Sequence, residues 1–69
     1  MKKPRIIIRR YRTYINGFDT REQARRFLVD NVPPLDEEKR RLDPQMAYRE
    51  AVAIAAQQGY TIEENGTLL

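Results

Sequence analysis

A chain of 69 residues with no cysteine and no histidine reads as one small domain built without disulfides, thiolate ligands or imidazole ligands, and a core of this size buries only about 60% of the unfolded chain's surface. Dimerisation is the remaining way to add stability, and no window reaches the roughly 20 apolar residues of a membrane-spanning helix. The formal net charge of +3 conceals a strong asymmetry: Lys2, Lys3, Arg5, Arg9, Arg10 and Arg12 fall within the first twelve residues without one acid, leaving seven cations against ten acids in the remainder.

That distribution, a basic arm on a mildly acidic body, predicts a polyanion or an acidic protein surface as partner. Residues 1–4 read as a flexible part of the arm. The apolar run of Ile6, Ile7 and Ile8 is cut short by Arg9 and Arg10, unlike the core of a signal peptide, and the missing cysteines give no disulfide evidence for secretion. A cytoplasmic location is therefore expected, with no membrane association.

Residues 5–15, "RIIIRRYRTYI", are rich in β-branched and aromatic side chains and predict one long strand. Its alternation slips once. Ile6 and Ile8 share a face, and Tyr11, Thr13 and Ile15 join them only if a bulge falls near Arg9 and Arg10. With that bulge, Ile6, Ile8, Tyr11, Thr13 and Ile15 face the core. Ile7, Arg12 and Tyr14, with an arginine from the bulge, form an outward cationic-aromatic face.

Asn16-Gly17 reads as a turn, after which Asp19 or Thr20 caps the first helix with Glu22 or Gln23 as capping-box partner. The helix runs from near Thr20 to Asn31. Ala24, Phe27 and Leu28, with Val32 beyond, form its apolar stripe, and Pro33-Pro34 stops it. Arg21, Arg25 and Arg26 read as a solvated face in which Glu22 pairs with Arg25 and Arg26. The segment "PPLDEEKRRLDP" predicts a short exposed helical turn with Asp36/Arg40 and Glu37/Arg41 pairs.

Asp43-Pro44 opens a second helix over residues 44–58, buried through Tyr48, Ala51, Val52 and Ala55, with Ala47 and Ile54 at its flanks. Gly59 closes it in the left-handed conformation, and Tyr60 packs back on Ala55. A strand follows from Tyr60 to Glu63, then the hairpin signal Asn65-Gly66 and a very short return strand to Leu69. The fold class is α+β in two layers: a small antiparallel sheet, made of the long N-terminal strand and the C-terminal hairpin, packed on two main helices in the order β-α-(α)-α-β-β.

For catalysis the inventory is nearly empty, since serine is absent along with cysteine and histidine. No nucleophile-base pair can be drawn from threonine, tyrosine, lysine and carboxylates. Glu63 and Glu64 are strand neighbours and point to opposite faces. Asp36, Glu37 and Glu38 lack the spacing of a calcium loop and are followed directly by three cations. No catalytic residue, metal or cofactor is assigned, and a non-enzymatic role is expected.

The basic strand has two readings. Arginines with interleaved tyrosines suit single-stranded nucleic acid, guanidinium groups meeting phosphates while Tyr11 or Tyr14 stacks on a base. Alternatively, the arginines keep an edge strand soluble. Six cations without a local acid exceed what edge protection needs, which favours nucleic acid.

Two local stretches resemble known families. "GFDTREQARRFL" resembles the strand-to-helix junction of the arm-type DNA-binding domains of tyrosine recombinases, and that resemblance implies DNA reading by a sheet face. Those domains carry three strands before the helix, where this sequence has room for one long strand. "REAVAIAAQQGYTIEE" is similar to the tail of the nitrogen-fixation-associated leader peptides, which implies a short acidic helix after the glycine; the cleavage motif of that family is not present. Both are helix-capping patterns, and neither assigns the chain to a family.

The reading is a small accessory protein, phage-like in character, that binds DNA or RNA through the outer face of its first strand. Its site residues are Arg9, Arg10, Arg12 and Tyr14, with Lys2, Lys3 and Arg5 adding long-range attraction. The rival is a protein-interaction module or inhibitor acting through a sheet edge on an acidic partner or as a homodimer.

Overall fold

The arginine-rich amino-terminal stretch folds back on itself. A computed structural model of the chain describes residues 4–69. Ile6–Arg10 (β1) and Thr13–Phe18 (β2) are antiparallel neighbours joined through Tyr11 and Arg12, whose φ angles of 49° and 73° are both left-handed. Two positive φ values in a two-residue loop match the twist of the flanking strands. The single strand expected over residues 5–15 is thus a hairpin. Asn16-Gly17, read as a turn, lies inside β2.

After β2 come the helices α1 (Arg21–Asn31) and α2 (Tyr48–Ala56), then β3 (Tyr60–Glu64) and β4 (Thr67–Leu68). The observed order is β-β-α-α-β-β. The four strands form one antiparallel sheet in the order β2-β1-β3-β4, and the helices pack on it as a second layer, so the chain is a small α+β fold. Ile6 and Ile8 of β1 and Tyr60 and Ile62 of β3 are buried with Ala24, Leu28 and Val29 of α1, Ala51 and Ala55 of α2, and Val32 and Leu42 from the connection. Full burial of an isoleucine or leucine is worth about 1.5–3 kcal/mol. Tyr11, Thr13 and Ile15, expected in this core, are exposed because the turn ends β1 before it reaches them.

The bulge exists, but on the neighbouring strand. Ile8 faces Asn16 while Arg9 faces Tyr14, which leaves Ile15 as the extra residue of β2.

Local chemistry explains the helix ends. The Thr20 hydroxyl accepts from the Gln23 N–H at 3.2 Å, and the Gln23 side chain accepts from the Asp19 N–H at 3.2 Å. α1 ends at Asn31, with Val32 extended ahead of the two prolines. α2 begins later than the proline at position 44 suggests. The Asp43 carboxylate accepts from the Gln45 N–H at 2.8 Å and its carbonyl from the Met46 N–H at 3.0 Å, closing a turn that does not propagate. Arg25 holds that turn against α1 by donating to the carbonyls of Pro44 at 2.7 Å and Met46 at 3.2 Å. Residues 33–47 form turns and bends without an α-helix. The Asp36/Arg40 and Glu37/Arg41 pairs, which need helical spacing, do not form among the described ion pairs.

At the other end of α2, Gly59 adopts φ +88°. A strand follows it, not the acidic helix that the leader-peptide resemblance implies. Asn65 (φ 51°) and Gly66 (φ 83°) make the second two-residue hairpin turn, as their sequence predicts.

Candidate functional site

Residues opposite one another in the sheet share a face. Ile6, Ile8 and Arg10 of β1, with their partners on β3, point toward the helices; Ile7 and Arg9 point away. On that open face Ile7 stands between Gly17 and Glu63, and Arg9 between Tyr14 and Thr61. Pro4 and the Tyr14 hydroxyl close over Gly17, where a β-carbon would come within 2.6 Å of the proline ring and 3.0 Å of the hydroxyl oxygen. Tyr14 nonetheless remains 57% exposed.

The expected site residues separate into distinct places. Lys2 and Lys3 lie outside the described residues, while Pro4, read as part of a flexible arm, is half-buried on Gly17. Arg5 is exposed, and its carbonyl accepts from the Asn65 N–H at 2.7 Å. Arg9 lies on the open face, and its guanidinium is 3.5 Å from the Glu63 carboxylate. Arg12 occupies the hairpin turn and is exposed.

Arg10 departs from the outward face expected of it. It lies on the helix side at the end of the sheet, donating from Nε to the Gln58 carbonyl at 3.3 Å. Its guanidinium carbon is 4.8 Å from the centre of the Tyr60 ring and 5.6 Å from that of Tyr11. Such cation-aromatic contacts stabilise by about 0.5–1 kcal/mol where exposed. Arg10 therefore helps anchor the hairpin to the turn after α2.

Tyr11 is the residue that sequence reasoning assigned to the wrong place. Its N–H donates to the Gly59 carbonyl at 3.0 Å, its ring lies on Gly59, and 72% of it is exposed. The slip in alternation between Ile8 and Tyr11 was the available signal, since a two-residue turn restores the pattern as well as a bulge does.

The arrangement changes the weight of the competing explanations. β1 is an inner strand, paired on both sides, so Arg9 and Arg10 are not there to protect an edge. The true edge, β2, carries no charged residue. Among the described residues the ion pairs are Arg9–Glu63, Arg21–Glu64 and Arg25–Glu22; Arg5 and Arg12 have no carboxylate partner. The hairpin thus joins a half-neutralised arginine, two unpaired arginines and two exposed tyrosines. Chemically, this is a surface that can attract polyanions and stack on flat apolar rings.

No protein-family model, curated protein or solved structure matches the chain.

Proposed function

We propose that the protein is a non-enzymatic nucleic-acid-binding protein whose contact surface is the first hairpin: Arg9 and Tyr14 on the open sheet face, Tyr11 and Arg12 at its tip, and Lys2, Lys3 and Arg5 supplying attraction. The supporting observation is the acid-free hairpin with its arginines on an inner strand, where edge protection does not account for them. Single-stranded nucleic acid suits the two exposed tyrosines best, since stacking needs unpaired bases.

The test is a salt titration of binding to single-stranded and duplex oligonucleotides, followed by fluorescence anisotropy. With about four phosphates neutralised, the slope of log K against log salt should be near −2.8 for single strands and near −3.6 for duplex. Arg12→Gln should lower its magnitude by about 0.7–0.9, and Arg9→Gln by less, because Glu63 already shares that charge. A flat salt response removes the proposal.

A second reading rests on the uncharged β2 edge. A second copy pairing along Thr13–Phe18 would bind through main-chain hydrogen bonds and be indifferent to salt. Ile15→Lys would place a protecting charge there and convert a dimer to a monomer by light scattering, while the salt slope per protomer stayed unchanged.

A further inference from the structure

Glu64 stands at the end of β3 away from the tip of the first hairpin, opposite Ile6. Arg21 approaches it from the first turn of α1, donating through Nε at 2.9 Å and through a terminal nitrogen at 2.8 Å. Both bonds end on the same oxygen, Oε1. Oε2 is buried with no protein partner, in a side chain only 12% exposed. The Tyr48 hydroxyl, at the start of α2, is likewise buried without a protein partner. Buried polar atoms are almost always paired, and here a donor-acceptor hydroxyl and an acceptor-only carboxylate oxygen line the same groove.

That groove has a volume of about 580 Å³, and Val52, Ala53, Ala56 and Leu69 form its apolar wall. The volume lies in the range of roughly 300–1,000 Å³ that encloses drug-sized molecules and leaves room for more than one amino-acid residue. Charge narrows the occupant further. A cation would meet Arg21 and Arg49, which also line the groove, and an anion would meet Glu64. Burial, reinforced by the Glu64 charge and opposed by Arg21, raises the pKa of the Tyr48 hydroxyl above its ordinary value, so the hydroxyl keeps its proton to donate. A neutral group that donates to Oε2 and accepts from the hydroxyl completes both atoms, and a peptide amide carries an N–H and a carbonyl on one planar unit.

We propose that this groove binds a neutral aliphatic peptide segment of a partner protein, with one backbone amide bridging Glu64 Oε2 and the Tyr48 hydroxyl and a leucine-like side chain against Val52, Ala53 and Ala56. The site is separate from the hairpin and does not depend on nucleic-acid binding.

The probe is acetyl-leucyl-leucine methylamide, titrated into the full chain while backbone amide shifts are followed by NMR. Saturable shifts are expected at Arg21, Tyr48, Val52, Ala56 and Glu64. The ester analogue lacking the bridging N–H, the peptide with a free amino terminus and the peptide with a free carboxylate should each bind about fivefold more weakly, the order of effect of one lost hydrogen bond. Tyr48→Phe should weaken the capped peptide to a similar degree while leaving the rest of the spectrum in place. Absence of saturable shifts at these residues, or equal binding of the amide and its ester, overturns the proposal. Arg12→Gln should leave the titration unchanged.

Discussion

The two hairpins of this sheet have the same turn geometry and opposite origins. Asn65 and Gly66 take φ 51° and 83°, Tyr11 and Arg12 take 49° and 73°. Asparagine and glycine enter that region readily, and Gly66 has open space where its side chain would be. Tyrosine and arginine do not, and each left-handed non-glycine residue costs about 1–2 kcal/mol. The second turn is made locally by its own residues. The first is held from elsewhere: the Tyr11 N–H on the Gly59 carbonyl, the Tyr11 ring over Gly59, and Arg10 on the Gln58 carbonyl and the Tyr60 ring. Backbone strain persists where surrounding structure over-determines it, and such places concentrate at functional sites. Here the strained turn presents the exposed tyrosine and arginine of the proposed contact surface.

The largest expected effect breaks that support. Gly59→Ala combines a side chain at φ +88° with a β-carbon only 2.3 Å from the Tyr11 ring, so it should cost about 3 kcal/mol, from left-handed strain and overpacking together. Gly66→Ala, with nothing near it, should cost about 1 kcal/mol. Urea unfolding midpoints measure both. In a Tyr11→Ala background the two costs should converge. Equal costs in the parent protein would mean that docking on Gly59 is not what holds the first turn.

What could be read from the sequence divides along the same line. The Thr20 cap, the Ala24 and Leu28 stripe, the stop at Pro33, the left-handed Gly59 and the Asn65-Gly66 hairpin are each decided within a few residues, and each is found where its neighbours place it. The first turn is decided by Gln58 and Gly59, far along the chain, and Tyr-Arg carries no local turn signal. Asn16-Gly17 carries the strongest such signal in that region, yet the pairing of β2 with β1 overrides it. The shared face of Arg9 and Tyr14 follows from the register around the bulge at Ile15. The inward position of Arg10 follows only from Tyr60 and the Gln58 carbonyl. The Arg21–Glu64 pair and the groove beside it join the ends of elements that no sequence spacing brings together.

The comparison sharpens if the residues of the two turns are exchanged one at a time. Arg12→Gly removes one left-handed side chain, and its relief of strain, partly offset by the greater freedom of glycine when unfolded, should stabilise the protein by about 0.5–1 kcal/mol. Gly66→Arg should destabilise it by a similar amount. If Arg12 is kept for binding, the more stable Arg12→Gly protein should hold oligonucleotides less tightly and with a shallower salt slope, a gain in stability opposed to function. A gain in both would mean that the strained turn serves neither.

The smallest expected effect concerns charge. The first hairpin gathers Arg5, Arg9, Arg10 and Arg12 around one carboxylate, Glu63, whereas the second carries Glu63 and Glu64, each facing an arginine. Raising ionic strength from about 0.01 M to 0.15 M shortens the screening length from about 30 Å to 8 Å. That weakens attraction in the exposed pairs and repulsion among the arginines together, so the melting temperature of the parent protein should move little. Glu63→Gln removes the attraction and leaves the repulsion. Its stability should then rise with salt by a few tenths of a kcal/mol, the usual size for exposed charges, and Arg12→Gln added to it should reduce that rise. A Glu63→Gln protein as indifferent to salt as its parent would mean that the guanidinium groups are too far apart, and too well hydrated, to repel one another. The hairpin would then lack the concentrated field that the proposed attraction of nucleic acid requires.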